Sequence, residues 1–199
     1  MAIDKPEIVL DLQKIEAAAS GEVFQYPRTW LSDKIDWVID LIGGLINWVW
    51  LLLVLIIVTN VTMRYILSTN YVWVEEVQWH IYAVGFMIGI GYTLRHDGHV
   101  RVDVVAAMLK PRTRAVIEFL GIVLFILPLV YLMITYAIPF VERSWVRNEV
   151  SSAPGGLTNR WAIKSVIIVA FALIGLAAVA RLLRVGAFLM GRPALTTTQ

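Results

Sequence analysis

The chain has 199 residues, of which 59% are hydrophobic and 16% charged, and it contains no cysteine. A soluble domain carries roughly 45–50% apolar and about 25% charged residues, and the mean hydropathy of +0.73 departs from that norm in the same direction. The sequence reads as an all-α integral membrane protein, which excludes a soluble enzyme, a nucleic-acid binder and a disordered regulator. A net charge of +2 gives no reason to expect a polyanionic partner. Without cysteine there are no disulfides, thiolate zinc sites or cysteine-ligated clusters.

Residues 1–40 form an N-terminal segment with two amphipathic stretches. Within 4–19, Ile8, Leu12 and Ile15 recur at helical spacing. Within 30–40, Trp30, Trp37 and the following Leu41 alternate with Asp33, Lys34, Asp36 and Asp40. This second stretch is expected to be an interfacial helix on the inner leaflet, the bland alternative being a solvated tail. Residues 21–27 are the expected hinge. The segment is not expected to be a signal peptide, because it is acidic as well as basic and the first apolar run starts late.

A spanning helix needs about 20 apolar residues to cross a hydrocarbon core of ~30 Å. Four runs qualify, giving expected spans of 41–63, 77–94, 117–141 and 162–183, the last lengthened by snorkelling of Lys164 and Arg181. The membrane domain is thus 41–185, with 186–199 a tail. Pro128 is expected to kink the third span. Twelve lysines and arginines fall on the side of the two termini and five on the opposite side, so both termini are expected in the cytoplasm.

The spans are poor in chemistry. No carboxylate lies at mid-depth, Glu118 being placed at the start of the third helix, where it would complement the dipole. His80 is the only histidine in a span, too few for a bis-histidine haem. No cofactor is therefore expected. On the second span, Gly85 and Gly89, with Gly91 close behind, form a small-xxx-small spacing suited to close helix approach.

The polar patch from Arg95 to Asp103 holds His96, Asp97 and His99, which could ligate a metal. Arg95 and Arg101 would repel one, and the simpler reading has Gly98 ending the second helix. Arg101 and Asp103 would then cap or pair with a short amphipathic helix over 102–109, ended by Pro111. Trp73-Val74-Glu75-Glu76 opens the second span. Trp73 suits the interface, and Glu75 or Glu76 is expected to pair with Arg64 at the end of the first span. The outer segment 142–164 is the longest, with Arg143, Trp145, Arg147, Glu149 and Arg160 as candidate docking residues around a Pro154-Gly155-Gly156 turn.

Taken in order, Met63-Arg64-Tyr65, Trp73-Val74-Glu75-Glu76, and Leu94-Arg95-His96-Asp97-Gly98-His99-Val100-Arg101-Val102-Asp103 resemble the small membrane subunit (DctQ-type) of tripartite ATP-independent periplasmic (TRAP) transporters. Asn148-Glu149-Val150-Ser151, Gly155-Gly156-Leu157 and Arg160-Trp161-Ala162-Ile163-Lys164 fit as well, so that the resemblance covers about 35–185. It implies a scaffold subunit of the bacterial inner membrane that transports nothing alone. A large membrane subunit would carry the substrate and sodium sites, and a periplasmic solute-binding protein would deliver an organic anion. Other expected partners are membrane lipids. Two other readings are a membrane-anchor subunit of a quinone-linked oxidoreductase and a self-contained exporter.

Overall fold

The computed structural model describes residues 24–96, 109–192 and 195–196. Its first helix, α1 (Trp30–Ile66), starts on a reciprocal cap. The Ser32 amide donates to Thr29 Oγ1 at 3.3 Å, and the Thr29 amide donates to Ser32 Oγ at 3.1 Å. Asp33 in the first turn and Arg64 in the last both suit the helix dipole. Its 37 residues correspond to about 55 Å, well beyond the ~30 Å of a hydrocarbon core.

The stretch 30–40, expected as an interfacial helix leading into the first span, is continuous with that span as the beginning of α1. No glycine or proline lies within 30–40, and one buried stripe runs on through α1 at Ser32, Asp36, Ile39, Gly43, Ile46, Leu53 and Asn60. Spacings of three, four and seven residues keep such a stripe on one side of a helix. The other amphipathic stretch, 4–19, lies outside the described residues.

The second helix, α2 (Val72–Arg95), opens at the Trp73–Glu76 motif as expected. It ends at Arg95, where His96 caps it by donating its amide to the Tyr92 carbonyl at 3.2 Å. The stop is therefore made before Gly98, which lies outside the described residues.

The third helix, α3 (Pro111–Val146), corrects two expectations. Pro111 opens this helix, where its fixed φ and missing N–H suit the first turn. The expected short helix over 102–109 lies, Leu109 excepted, outside the described residues. Because α3 begins so early, Glu118 sits two turns inside it, and its partners described below replace the dipole as the reason for its charge. The break expected at Pro128 takes the form of a π-helical turn, Ile122–Ile126, immediately upstream. A proline at 128 cannot bond the Leu124 carbonyl, and the wider turn accommodates its ring.

The fourth helix, α4 (Trp161–Leu189), is the hub. It packs against each of the other three, α1 and α2 also pack on each other, and α3 touches α1 and α2 at most marginally. Small side chains make this possible. Ala170, Ala177, Ala178, Ala180 and Ala187 are buried on α4, and a Cβ at Gly175 would stand 3.1 Å from Val130 of α3. Ile39, Ile46, Ile88, Leu173 and Ala177 form the main core, and Tyr26, Ala115 and Val185 form a second at the end carrying the termini. There β1 (Phe24–Gln25) pairs antiparallel with β2 (Leu195–Thr196). The two ends of the described chain therefore share one end of the bundle.

Three of the helices, α1, α3 and α4, are both long and apolar enough to cross a membrane. The 24 residues of α2 give it the length, but Gln78, His80 and three glycines dilute its apolar character.

Candidate interaction sites at the two ends of the bundle

Charged side chains within the bundle gather at its ends. At the end carrying the termini, Asp36 faces inward from α1 with its side chain 7% exposed, and Arg95 of α2 stands 3.1 Å from it. Arg184 of α4 pairs with the other carboxylate oxygen and reaches Ser32 Oγ at 3.2 Å. One turn along α1, Asp40 accepts from Arg95 at 2.8 Å and meets His96 Nε2 at 2.9 Å. The Tyr92 ring lies 4.4 Å from the His96 ring. A Cβ at Gly43 would be only 2.0 Å from that tyrosine, so only glycine lets Tyr92 lie against α1.

A second knot joins α3 to α4. Arg181 donates to Glu118 at 2.5 Å and the Tyr26 hydroxyl donates to the same carboxylate at 2.9 Å. Burial, together with Glu118 beside it, pushes the Tyr26 phenol above its usual range, so it stays a donor. These long-range pairs were not anticipated. The detectable signal was an acidic Asp36–Asp40 face on one helix and arginines ending two others, but no local rule pairs them.

At the opposite end, α1 finishes beside Tyr65, whose ring lies 5.4 Å from the Arg64 guanidinium. The expected Arg64 pairing with Glu75 or Glu76 does not form among the described residues. Glu76 instead reaches across to the loop 147–160, accepting from Ser151 Oγ and from the Leu157 amide at 2.6 Å. One hydroxyl and one backbone amide of the loop satisfy Glu76 because the loop folds directly over the start of α2. A Cβ at Gly156 would stand 2.9 Å from that carboxylate and 2.5 Å from Ser151, so the glycine keeps the latch open to Glu76. His80 Nδ1 lies 2.5 Å from the Glu76 carbonyl one turn below, and Trp73 is half exposed beside Tyr71.

The loop is anchored at its other side too. Lys164 pairs with Glu149 and holds its carboxyl below the usual carboxylate range, while the Arg160 amide donates to the Glu149 carbonyl at 3.1 Å. Trp145 and Trp161 meet edge to face at 4.5 Å, joining the helices that flank the loop. Arg143 and Arg147, at the end of α3, remain exposed. Of the five proposed docking residues, Glu149 and Trp145 thus hold the loop together, and the two arginines face outward.

Of the glycine pair on α2, Gly85 lies against Trp50, whose ring would be 3.1 Å from a Cβ there, whereas Gly89 meets nothing within 4 Å. Gly91 makes the close approach to α4, with Leu173 3.1 Å from its Cβ position. The residues His99, Arg101 and Asp103 lie outside the described residues. Among the described residues no group of three or more histidine, aspartate or glutamate side chains is arranged to hold a metal.

With apolar helices, charge confined to the ends and an ordered loop over one of them, the family comparison is decisive. Residues 53–187 match the family described as Tripartite ATP-independent periplasmic transporters, DctQ component. The chain belongs to this family. The DctQ match starts inside α1 and stops inside α4, so it includes the Glu76 latch, the Glu118–Arg181 pair and Arg184, while Asp36 and Tyr26 precede it. A DctQ protein is a component of a transporter rather than an enzyme, and this one is a membrane protein and a small permease subunit. Comparison with curated proteins gives no match.

Proposed function

We propose that this chain is the stationary brace of a sodium-coupled, binding-protein-dependent carrier of an organic acid anion. In this reading all four helices span the inner membrane, both termini are cytoplasmic, and the Glu76-latched loop faces the periplasm. Sodium and solute are held by a large partner subunit. The observation that carries the reading is the distribution of charge. At one end Asp36 is engaged with Arg95 and Arg184, and Glu118 with Arg181; at the other Glu149 pairs with Lys164 and Glu76 is held by the loop, and none of these groups stands at mid-depth. A subunit that binds and moves an ion needs polar groups near the bilayer midplane, commonly on broken helices. Ion pairs tying helix ends together serve rigidity instead, and the excess of basic residues at the end with the termini supports the orientation.

The test is reconstitution into liposomes of this chain alone, the large subunit alone, and both together with the binding protein under a sodium gradient. Only the complete set is expected to accumulate solute. Sodium-driven uptake by this chain alone would overturn the reading.

The exposed Arg143 and Arg147 beside a firmly held loop fit a surface that steers an acidic face of the binding protein. Reversing both charges is expected to slow uptake about tenfold at low binding-protein concentration, with recovery as the binding protein is raised and as salt increases. Co-purification of the two membrane subunits should be unaffected. Uptake unchanged at every binding-protein concentration would rule out the docking role.

A further inference from the structure

Because α3 packs on α4 and barely meets α2, a cleft remains between α2 and α3 with α4 as its floor. It has a volume of about 470 Å³ and is walled by Leu94, Ile117, Ile122, Phe125 and Ala178. That volume lies within the ~300–1,000 Å³ of small-molecule sites. Gly121 lines it, and a Cβ there would meet nothing within 4 Å. The π-helical turn Ile122–Ile126 supplies three of its lining residues, Ile122, Phe125 and Ile126. The irregular turn thus shapes one wall of the cleft.

The polar part of the cleft is at the end carrying the termini. Arg114 lines it one turn above Glu118, whose charge is already answered by Arg181 and Tyr26. Among the described residues no carboxylate pairs with Arg114, and Lys110 and Arg112 stand exposed next to it. From Arg114 to Phe125 the helix rises about 16 Å, roughly half the hydrocarbon core of ~30 Å and so about one leaflet.

We infer that this cleft holds one acyl chain of an anionic phospholipid, with the lipid phosphate at Arg114 and the chain running past Gly121 to Phe125. The apolar walls exclude a free anion as the occupant, and Arg114 at the mouth, which no carboxylate among the described residues answers, selects negative headgroups over zwitterionic ones. The site belongs to the inner leaflet, which rests on the orientation proposed above; the cleft and its cation do not depend on the transport reading.

The test uses the full chain, purified in detergent, with phosphatidylglycerol or phosphatidylcholine added, and native mass spectrometry to count retained lipid. One phosphatidylglycerol is expected to be held in preference to phosphatidylcholine. Arg114→Gln should reduce that preference about fivefold, and Gly121→Trp, which fills the cleft, should abolish retention of both. As a readout independent of any variant, a phosphatidylglycerol with a photoreactive group on its acyl chain is expected to crosslink within 117–126. Equal retention of the two lipids, wild-type retention by Gly121→Trp, or crosslinks spread over the outer face of α1 would each overturn the assignment. So would a cleft filled by protein, which would give no crosslink there. None of these outcomes touches the liposome transport assay, so the two readings fail separately.

Discussion

Asp36→Ala is expected to destabilise the bundle by about 3–5 kcal/mol, the usual cost of removing one partner from a buried ionic cluster. Asp36 has a side chain 7% exposed and lies between Arg95 and Arg184, whose side chains are 21% and 13% exposed. Deleting the carboxylate leaves two guanidinium groups facing each other with less water than either needs. Arg95 keeps Asp40 and Arg184 keeps Ser32, so the value should fall toward the lower bound. The same cluster replaced as a whole, Asp36→Leu with Arg95→Met and Arg184→Met, should recover most of the loss, because no charge is then stranded. Thermal unfolding of the purified variants in one detergent measures both. A single substitution no worse than the triple would mean that the cluster is solvated and contributes little.

Gly43→Ala and Gly44→Ala are adjacent on α1 and are expected to differ in sign. At Gly43 the new methyl would fall 2.0 Å from Tyr92 Cδ2, which lies at the base of the ring rather than at a free tip. The ring must leave α1. It lies against His96, which in turn meets Asp40, so its displacement reaches the ionic cluster. Overpacking of this kind costs about 1–3 kcal/mol. At Gly44 nothing lies within 4 Å of the new methyl, and alanine should stabilise the helix by about 0.5–1 kcal/mol through its higher helix propensity. The same unfolding measurement decides. Equal effects at the two positions would show that helix propensity, not Tyr92, controls this region.

Much of the fold was legible because it follows from local physics. Spanning length in α1, α3 and α4, the helical start at Trp73 and the irregularity at Pro128 need only the properties of the residues themselves. The family resemblance rested on short motifs, and the DctQ match over 53–187 confirms it. The candidate sites were harder. Arg64 and Glu76 are near in sequence and sit at facing helix ends, yet Glu76 is claimed by Ser151 and Leu157, which only the folded loop brings within reach.

The amphipathic start of α1 was recognised as helical, but whether it lies on a membrane or joins the bundle depends on what its polar face meets. Asp36 meets arginines from α2 and α4, so its polar face packs into the bundle. Helix content, apolar length and the bias of basic residues were therefore determined by the sequence alone, since each arises within a segment or between one segment and its solvent. The tertiary structure alone decided which charges pair, which glycines are crowded, that α4 is the hub and that α2 and α3 leave a cleft between them. Those outcomes depend on distances between segments remote in sequence, and the competing partners in each case have similar chemistry and differ only in where the helices place them.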